Sequence, residues 1–165
     1  MTGAVELRAV LFGLLEECRV MTLATSGPRG PWAAPVLYAW EPSDPPALYF
    51  MSRLGTRHVQ DALRTGQAAA AIHPPDTRPL RGVQMCGAIT LLGGERAAQA
   101  AELYLRRFPS AQGRFPLADV LEERSEIRFF CFRPEQVFVL SEPHFGWGVR
   151  REVPLGILAL HPDRG

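Results

Sequence analysis

The feature that most constrains the fold is a pair of apolar segments joined by a turn-forming cluster. Residues 19–25 (RVMTLAT) and 32–40 (WAAPVLYAW) have the apolar, β-branched and aromatic composition of strands. Between them, residues 26–30 (SGPRG) contain two glycines and a proline, which favour a turn. Together these segments predict an antiparallel β-hairpin near the start of the chain.

Further strand and helix patterns extend along the rest of the chain. Strands are predicted at residues 47–52, 67–73, 81–92, 127–132 and 136–141. Helices are predicted at residues 4–18, 56–65, 95–108 and 117–124. Hairpins dominate this order, and the strand–helix alternation of a parallel sheet is not sustained. The sequence therefore predicts a mainly β (α+β) fold, an antiparallel barrel with flanking helices.

Two finer predictions concern the long strand and the longest central helix. Gly87 interrupts the alternation of residues 81–92, which predicts a bulge or bend there. The helical spacing of residues 95–108 predicts one core-facing stripe. That stripe comprises Ala98, Ala101, Leu105 and Phe108.

Length and composition are those of a folded domain. The 165 residues are 47% hydrophobic and 21% charged, which is enough apolar material for a core without disulfides or metals. We expect one domain over residues 1–165, with the barrel at about 19–141. A tail over residues 142–165 includes a last apolar segment at 153–160. The formal net charge of +1 gives no global case for binding nucleic acid or an anionic membrane.

The three cysteines predict buried free thiols in a reducing compartment. Cys18, Cys86 and Cys131 lie far apart among apolar neighbours, with no C-x-x-C motif and no zinc-ligand spacing, so no metal site is expected. Residues 1–17 carry three acidic residues and lack the basic start of a signal peptide. No apolar run approaches the roughly 20 residues that a membrane span needs. We therefore expect a cytoplasmic protein with no membrane association.

A strand, turn and helix start at residues 47–63 (ALYFMSRLGTRHVQDAL) combine the groups that would bind an anion. Gly55 allows the turn, and Thr56 is placed to cap the helix. Hydroxyls, guanidiniums and an imidazole beside the exposed N–H groups of a helix suit a phosphate. These groups belong to Ser52, Arg53, Thr56, Arg57 and His58. The alternative is an ordinary solvated basic turn.

The order of these segments resembles the pyridoxamine 5′-phosphate oxidase-like family of FMN-binding split barrels. The resemblance runs from about Val5 to Leu140 and rests on MTLAT, PWAAPVLYAW, LYFMSRLGTRH and RGVQMCGAITLL followed by a helix. The RGVQ segment, the helix end YLRRFP and the glycine–aromatic tail resemble an uncharacterised subgroup. The resemblance implies an FMN-binding split β-barrel, an antiparallel Greek-key barrel with flanking helices. It also implies a homodimer with FMN in a cleft at the interface.

The resemblance also implies which residues bind the cofactor. Ser52, Thr56, Arg57 and His58 would hold the phosphate, with His58 at a position where relatives show lysine. The backbone of Ala34, Pro35 and Val36 would run along the isoalloxazine edge. Met51 would lie near that edge. Gln84 could bond a flavin carbonyl or simply face solvent, and Trp147 could close over the ring or pack on the barrel or the partner subunit. No catalytic residue is assigned.

The function implied is flavin-dependent oxidoreduction of an unknown small molecule. The vitamin B6 oxidases often show Arg–Gln at the start of the long strand, whereas here Arg81 is followed by Gly82 and the glutamine is Gln84. This departure argues against true pyridoxamine phosphate oxidation. The alternatives are a flavin-binding or sensing protein without turnover, and a relative that binds no flavin or uses a deazaflavin or haem.

Overall fold

The structure is a computed structural model that describes residues 3–156. The helices are α1 (Ala4–Glu17), α2 (Arg57–Thr65), α3 (Gly94–Arg107), α4 (Leu117–Leu121) and α5 (Glu142–Phe145), with a short 3₁₀ turn at Pro109–Ala111. The strands are β1 (Val20–Gly27), β2 (Gly30–Glu41), β3 (Ala47–Arg53), β4 (Gln67–Ile72), β5 (Arg81–Leu91), β6 (Ile127–Ser141) and β7 (Arg150–Glu152). The apolar segment predicted at 153–160 lies partly outside the described residues.

The strands form one antiparallel sheet that closes on itself. Its order is β3-β2-β1-β4-β5-β6-β7, and an additional pairing of β3 with β6 closes the first six strands into a barrel. The neighbouring order β3-β2-β1-β4 is that of a Greek key. The predicted mainly β (α+β) barrel with flanking helices is therefore confirmed.

The predicted hairpin forms between β1 and β2. Its register runs from Val20 opposite Leu37 to Gly27 opposite Gly30, so only two residues lie between the strands. Gly30 adopts a φ of 85°, which glycine reaches without steric strain. The turn predicted from the composition of residues 26–30 is therefore confirmed.

The prediction of two separate strands near the C-terminal end was wrong. Residues 127–132 and 136–141 belong to one continuous strand, β6, which is 15 residues long. Pro134 is accommodated because the register of β5 against β6 shifts between Cys86 and Gly87. The irregularity predicted at Gly87 is therefore present, but the extra residue is Glu135 on β6, and β5 alternates through Gly87.

Two apolar clusters flank the barrel wall. The inner cluster fills the barrel and includes Leu11, Leu23, Phe50, Val59 and Phe130. The outer cluster lies between the barrel wall and α3. The predicted core stripe of α3 was partly wrong, since Ala98 is exposed and Leu105 half-buried. The buried stripe is Ala97, Ala100, Ala101, Tyr104 and Phe108, and its ring contacts include Tyr104 against Phe129 at 5.7 Å.

The cysteines divide between the interior and the surface. Cys18 and Cys131 are buried, as predicted, but Cys86 is exposed, and all three are free thiols. The prediction for Cys86 was wrong because side chains alternate across β5, and its neighbour Met85 takes the inward position. Within residues 3–156, no helix is long and apolar enough to cross a bilayer.

Candidate functional site

Three side chains converge where β3 ends and α2 begins. Ser52 Oγ lies 2.9 Å from His58 Nε2 and 3.2 Å from Thr56 Oγ1. Thr56 Oγ1 lies 3.4 Å from the same imidazole nitrogen. We call Ser52, Thr56 and His58 the anion cluster, because their hydroxyls and imidazole can all donate to an oxyanion.

The local backbone explains how seven consecutive residues form this cluster. The chain turns back after β3, with the N–H of Thr56 donating to the carbonyl of Arg53 at 3.1 Å. Thr56 occupies the predicted N-cap position of α2, but its hydroxyl donates to Arg53 O at 2.8 Å. The Thr56 side chain therefore makes no capping hydrogen bond to the first turn of α2, whose N–H groups face the turn after β3.

His58 is half-buried and mostly neutral when no ligand is bound. Burial lowers the pKa of this imidazole below its usual value near 6.5. Its charge at neutral pH therefore depends on what occupies the cluster, because a bound phosphate would favour the protonated form.

Arg57 points away from the anion cluster toward the β1–β2 turn. Its Nη2 donates to the carbonyls of Arg29 at 2.7 Å and Gly30 at 3.1 Å. The guanidinium also lies over the Trp32 ring, 4.6 Å from its centroid. A third, longer bond from Nη2 reaches the carbonyl of Pro31 at 3.4 Å, and Nη1 makes no hydrogen bond to residues 3–156. Arg57 therefore joins the helix start to the hairpin, a role that the sequence did not predict.

A buried carboxylate stands beside Arg57. Asp61 is 4% exposed, and its Oδ2 lies 3.7 Å from Arg57 Nε. A Cβ at Gly27 would overlap the Asp61 carboxylate, so glycine is required at the end of β1. Neither Arg57 Nε nor Asp61 Oδ2 has a hydrogen-bond partner among residues 3–156. The pair is thus held by packing and charge more than by hydrogen bonds.

The other predicted site residues lie in two different places. Ala34 is buried, while Val36 is half-buried and packs against the inner cluster. The Met51 side chain packs against the outer cluster, on the face of β3 opposite Ser52. Trp147 is 79% exposed in the segment between α5 and β7. None of these four side chains makes a hydrogen bond or ion pair with the anion cluster in the described residues.

Pro35 and Gln84 lie in one row on the outside of the barrel, with two strands between them. In the sheet register, Pro35 lies opposite Thr22, Thr22 opposite Ala71, and Ala71 opposite Gln84. A parallel row continues through Ala33, Ala24, Ala69 and Cys86. We call these eight residues the outer sheet face. All eight are uncharged, and a groove of about 420 Å³ lies at one end of the face.

Sequence reasoning missed Arg128, which lies next to the anion cluster in the sheet. Arg128 is only 7% exposed and sits directly opposite Ser52 in the pairing of β3 with β6. The alternation of IRFFCF places Arg128 on the same strand face as Phe130, a core position. That pattern was the available signal, because a charged residue at a core position usually has a specific partner.

The chemistry of the site is that of anion binding. Hydroxyls, an imidazole and helix N–H groups converge, whereas residues 3–156 contain no group of three or more side chains able to hold a metal ion. The arrangement therefore suits a phosphate-bearing ligand.

Comparisons with known proteins agree with this architecture. Residues 7–141 match a family model described as pyridoxamine 5′-phosphate oxidase. A UPF0306 protein of Klebsiella pneumoniae is 34% identical over 118 residues, which cover 70% of this chain and 78% of that protein.

Two solved structures share the fold. The heme binding protein from Mycobacterium smegmatis has a TM-score of 0.68 at 20% identity, over 92% of this chain and 58% of its own. This chain thus spans less than two thirds of that protein. A candidate pyridoxamine 5′-phosphate oxidase of Listeria innocua has a TM-score of 0.63 at 18% identity, over 82% of this chain and 98% of its own. At these identities the likeness concerns the fold alone.

Proposed function

This chain belongs to the pyridoxamine 5′-phosphate oxidase family, and on that premise we propose that it binds FMN and acts as a flavin-dependent oxidoreductase on a small molecule. The observation that carries the proposal is the anion cluster. Ser52 and His58 stand 2.9 Å apart at the uncapped start of α2. This is where a flavin phosphate would be held by hydroxyls, an imidazole and helix N–H groups.

The residues present fit the phosphate end of FMN. The phosphate carries about −1.5 to −2 charges at neutral pH. Ser52 would donate a hydroxyl hydrogen bond to the phosphate. The Thr56 hydroxyl would turn from Arg53 O, and the Arg57 guanidinium from the β1–β2 turn, to add their own. When bound, FMN supplies the redox chemistry, and this chain's residues hold and orient it.

We propose in addition that the outer sheet face is the contact between two copies of this chain. Eight neighbouring exposed or half-exposed side chains on four strands are small or medium-sized and uncharged, and Leu37 and Val20 extend the patch beside them. Uncharged, apolar patches of this kind are typical of interfaces. Pro35 and Gln84 lie within the face, so a cofactor cleft at the interface would include them.

Two further proposals concern the cellular location and the turnover of the protein. The free thiols of Cys18 and Cys131 are buried, which supports a reducing, cytoplasmic location. Turnover needs a reductant such as a nicotinamide cofactor, so a flavin-binding protein without turnover stays the alternative. Oxidation of a nicotinamide donor by the FMN-loaded protein would separate the two.

The test of the proposed function is binding of FMN and of riboflavin, which lacks the phosphate. We expect FMN to bind at least tenfold more tightly than riboflavin, and Arg57→Ala to weaken FMN binding by about 1.5–3 kcal/mol. Riboflavin affinity should stay within about twofold, because the variant removes a phosphate contact. Flavin fluorescence quenching gives both constants.

The FMN proposal fails if the wild-type protein binds neither flavin. In that case haem becomes the leading candidate, since a solved structure of the same fold belongs to a heme binding protein. A Soret band after addition of hemin would support that second candidate. If Arg57→Ala weakened FMN and riboflavin binding equally, Arg57 would only hold the β1–β2 turn in place and would not contact the phosphate.

The replacement His58→Lys should strengthen FMN binding chiefly at high pH. Burial lowers the pKa of His58, so the imidazole loses its charge as the pH rises, whereas lysine keeps its charge. The advantage of the lysine variant should grow as the pH rises and reach about tenfold at about pH 8, where the imidazole is neutral. Comparing the two at each pH cancels the titration of the phosphate itself. An affinity ratio that is constant with pH would contradict the role of His58.

A further inference from the structure

We infer that Arg128 is a positioning residue of the anion cluster, supplying it with a permanent, buried positive charge that strengthens its hold on a phosphate group. The inference rests on the proposed function, because the phosphate is taken to be that of FMN. It names a residue on β6, far in sequence from the strand–turn–helix that forms the cluster.

The sheet register places Arg128 beside Ser52. Two residues further into the barrel, Phe50 lies opposite Phe130, and their rings stack with centroids 5.2 Å apart. Side chains two residues apart on a strand share a face, so Ser52 and Arg128 leave the same inner face of the barrel wall. Directly opposed residues have Cβ atoms about 5 Å apart, which puts the Arg128 stem next to the Ser52 hydroxyl.

The charge of Arg128 is buried, but that of its partner is not. The Arg128 side chain is 9% exposed, and Nη2 donates to Leu92 O at 3.3 Å. The same nitrogen lies 3.1 Å from Oε2 of Glu123, whose side chain is 53% exposed. Water screens the carboxylate more strongly than the guanidinium, so the pair leaves a net positive potential on the buried side.

The ion pair between Arg128 and Glu123 depends on an unusual backbone conformation at Glu123. Glu123 adopts a φ of 62°, a conformation that non-glycine residues rarely take. A Cβ at Gly93 would overlap the Glu123 carboxylate as it stands, so the two residues are in close contact. The carboxylate contacts Arg128 from the solvent side.

The anion cluster has no permanent positive charge of its own that is free to face a phosphate. Its own imidazole is mostly neutral in the unliganded protein, and the Arg57 guanidinium is shared with the β1–β2 turn and with Asp61. Arg128 keeps its charge at every physiological pH. A permanent positive charge beside a phosphate site strengthens binding of the phosphate, and more so where the charge is shielded from water.

The test compares Arg128→Gln, Arg128→Lys and Glu123→Gln. We expect Arg128→Gln to weaken FMN binding about tenfold and to leave riboflavin binding within about twofold, because riboflavin has no phosphate. Arg128→Lys should restore most of the FMN affinity, since it keeps the charge. Glu123→Gln should tighten FMN binding by about two- to threefold, because it removes the opposing charge.

A second readout needs no flavin. The pKa of His58, measured by NMR titration and assigned with His58→Gln, should rise in Arg128→Gln and fall in Glu123→Gln. If the wild-type protein binds no FMN, the proposed function fails, and the His58 titrations alone decide whether Arg128 charges the cluster.

Three results would overturn the inference. One is an equal loss of FMN and riboflavin binding in Arg128→Gln, and another is a lysine variant as weak as the glutamine variant. The third is a His58 pKa that moves in neither variant. Should Arg128→Gln fail to fold, Glu123→Gln alone decides, because its effects have the opposite sign and its side chain is largely in solvent.

Discussion

Replacing Arg107 with alanine is expected to lower the free energy of unfolding by about 3–5 kcal/mol. Arg107 is in the last turn of α3, and its Nη2 donates to three backbone carbonyls at the end of α1. These are Leu15 O at 3.0 Å, Glu16 O at 2.9 Å and Cys18 O at 2.7 Å. The last carbonyls of a helix have no partner within it, so Arg107 supplies what α1 lacks.

The surroundings of Arg107 explain why water would replace it poorly. Its side chain is 11% exposed and lies over the Tyr38 ring, 5.5 Å from the centroid. The Tyr38 hydroxyl donates to Leu15 O as well, at 2.9 Å. Truncation to alanine would leave partly buried carbonyls without a donor and a void between α1, α3 and the barrel. The ion pair with Glu16 adds little, because Glu16 is 70% exposed.

Urea unfolding followed by circular dichroism measures this change, with Arg106→Ala as the matched control. Arg106 is the preceding residue, 68% exposed, and pairs with Glu102 one helical turn away. Such a surface pair contributes about 0.3–0.5 kcal/mol. If Arg107→Ala cost no more than Arg106→Ala, the link between α1 and α3 would be energetically unimportant.

Gly87→Ala should destabilise the protein by about 3 kcal/mol, the upper end of the cost of overpacking. A Cβ at this position would overlap the carbonyl oxygen of Arg133 and come within 2.7 Å of Pro134 Cα. Both atoms are backbone, and β6 is fixed by β5 on one side and by β3 on the other, so the strand cannot move aside. The bulge between Cys86 and Gly87 would have to be remodelled.

Gly13→Ala is the matched control for this substitution. Gly13 lies inside α1, and a Cβ there would have no heavy atom within 4 Å. Alanine should therefore stabilise the protein by about 0.5–1 kcal/mol, because glycine is a poor helix former. A Gly87→Ala variant as stable as the wild type would show that the close approach at the bulge can relax.

Local sequence patterns were sufficient wherever the structure depends on neighbouring residues. The β1–β2 hairpin, the end of α2 at Gly66 with a φ of 71°, and the bulge at Gly87 were all predictable from turn and strand chemistry. The Ser52–Thr56–His58 contacts are also local, and the residues that form them could be named from one strand–turn–helix pattern.

Features that depend on distant pairing were not predictable in this way. The continuity of β6 through Pro134 depends on its pairing with β5, where Gly87, about fifty residues earlier in the chain, lies opposite Pro134. The direction of Arg57 depends on the carbonyls of the β1–β2 turn. Likewise, the sequence identifies Arg128 only as a strand residue. Its position beside Ser52 is set by the pairing of β3 with β6.

The pairing of β3 with β6 also has a consequence for the order of folding. It joins residues 48–53 to residues 127–132, whereas β1 and β2 meet across a two-residue turn. Closing so long a loop costs more chain entropy than forming a hairpin, and contacts of this range slow folding. The hydroxyl–imidazole cluster can thus form early from a short segment, while Arg128 reaches it only when the barrel closes. A ligand attracted by the charge of Arg128 would bind preferentially to the closed barrel and would slow its opening.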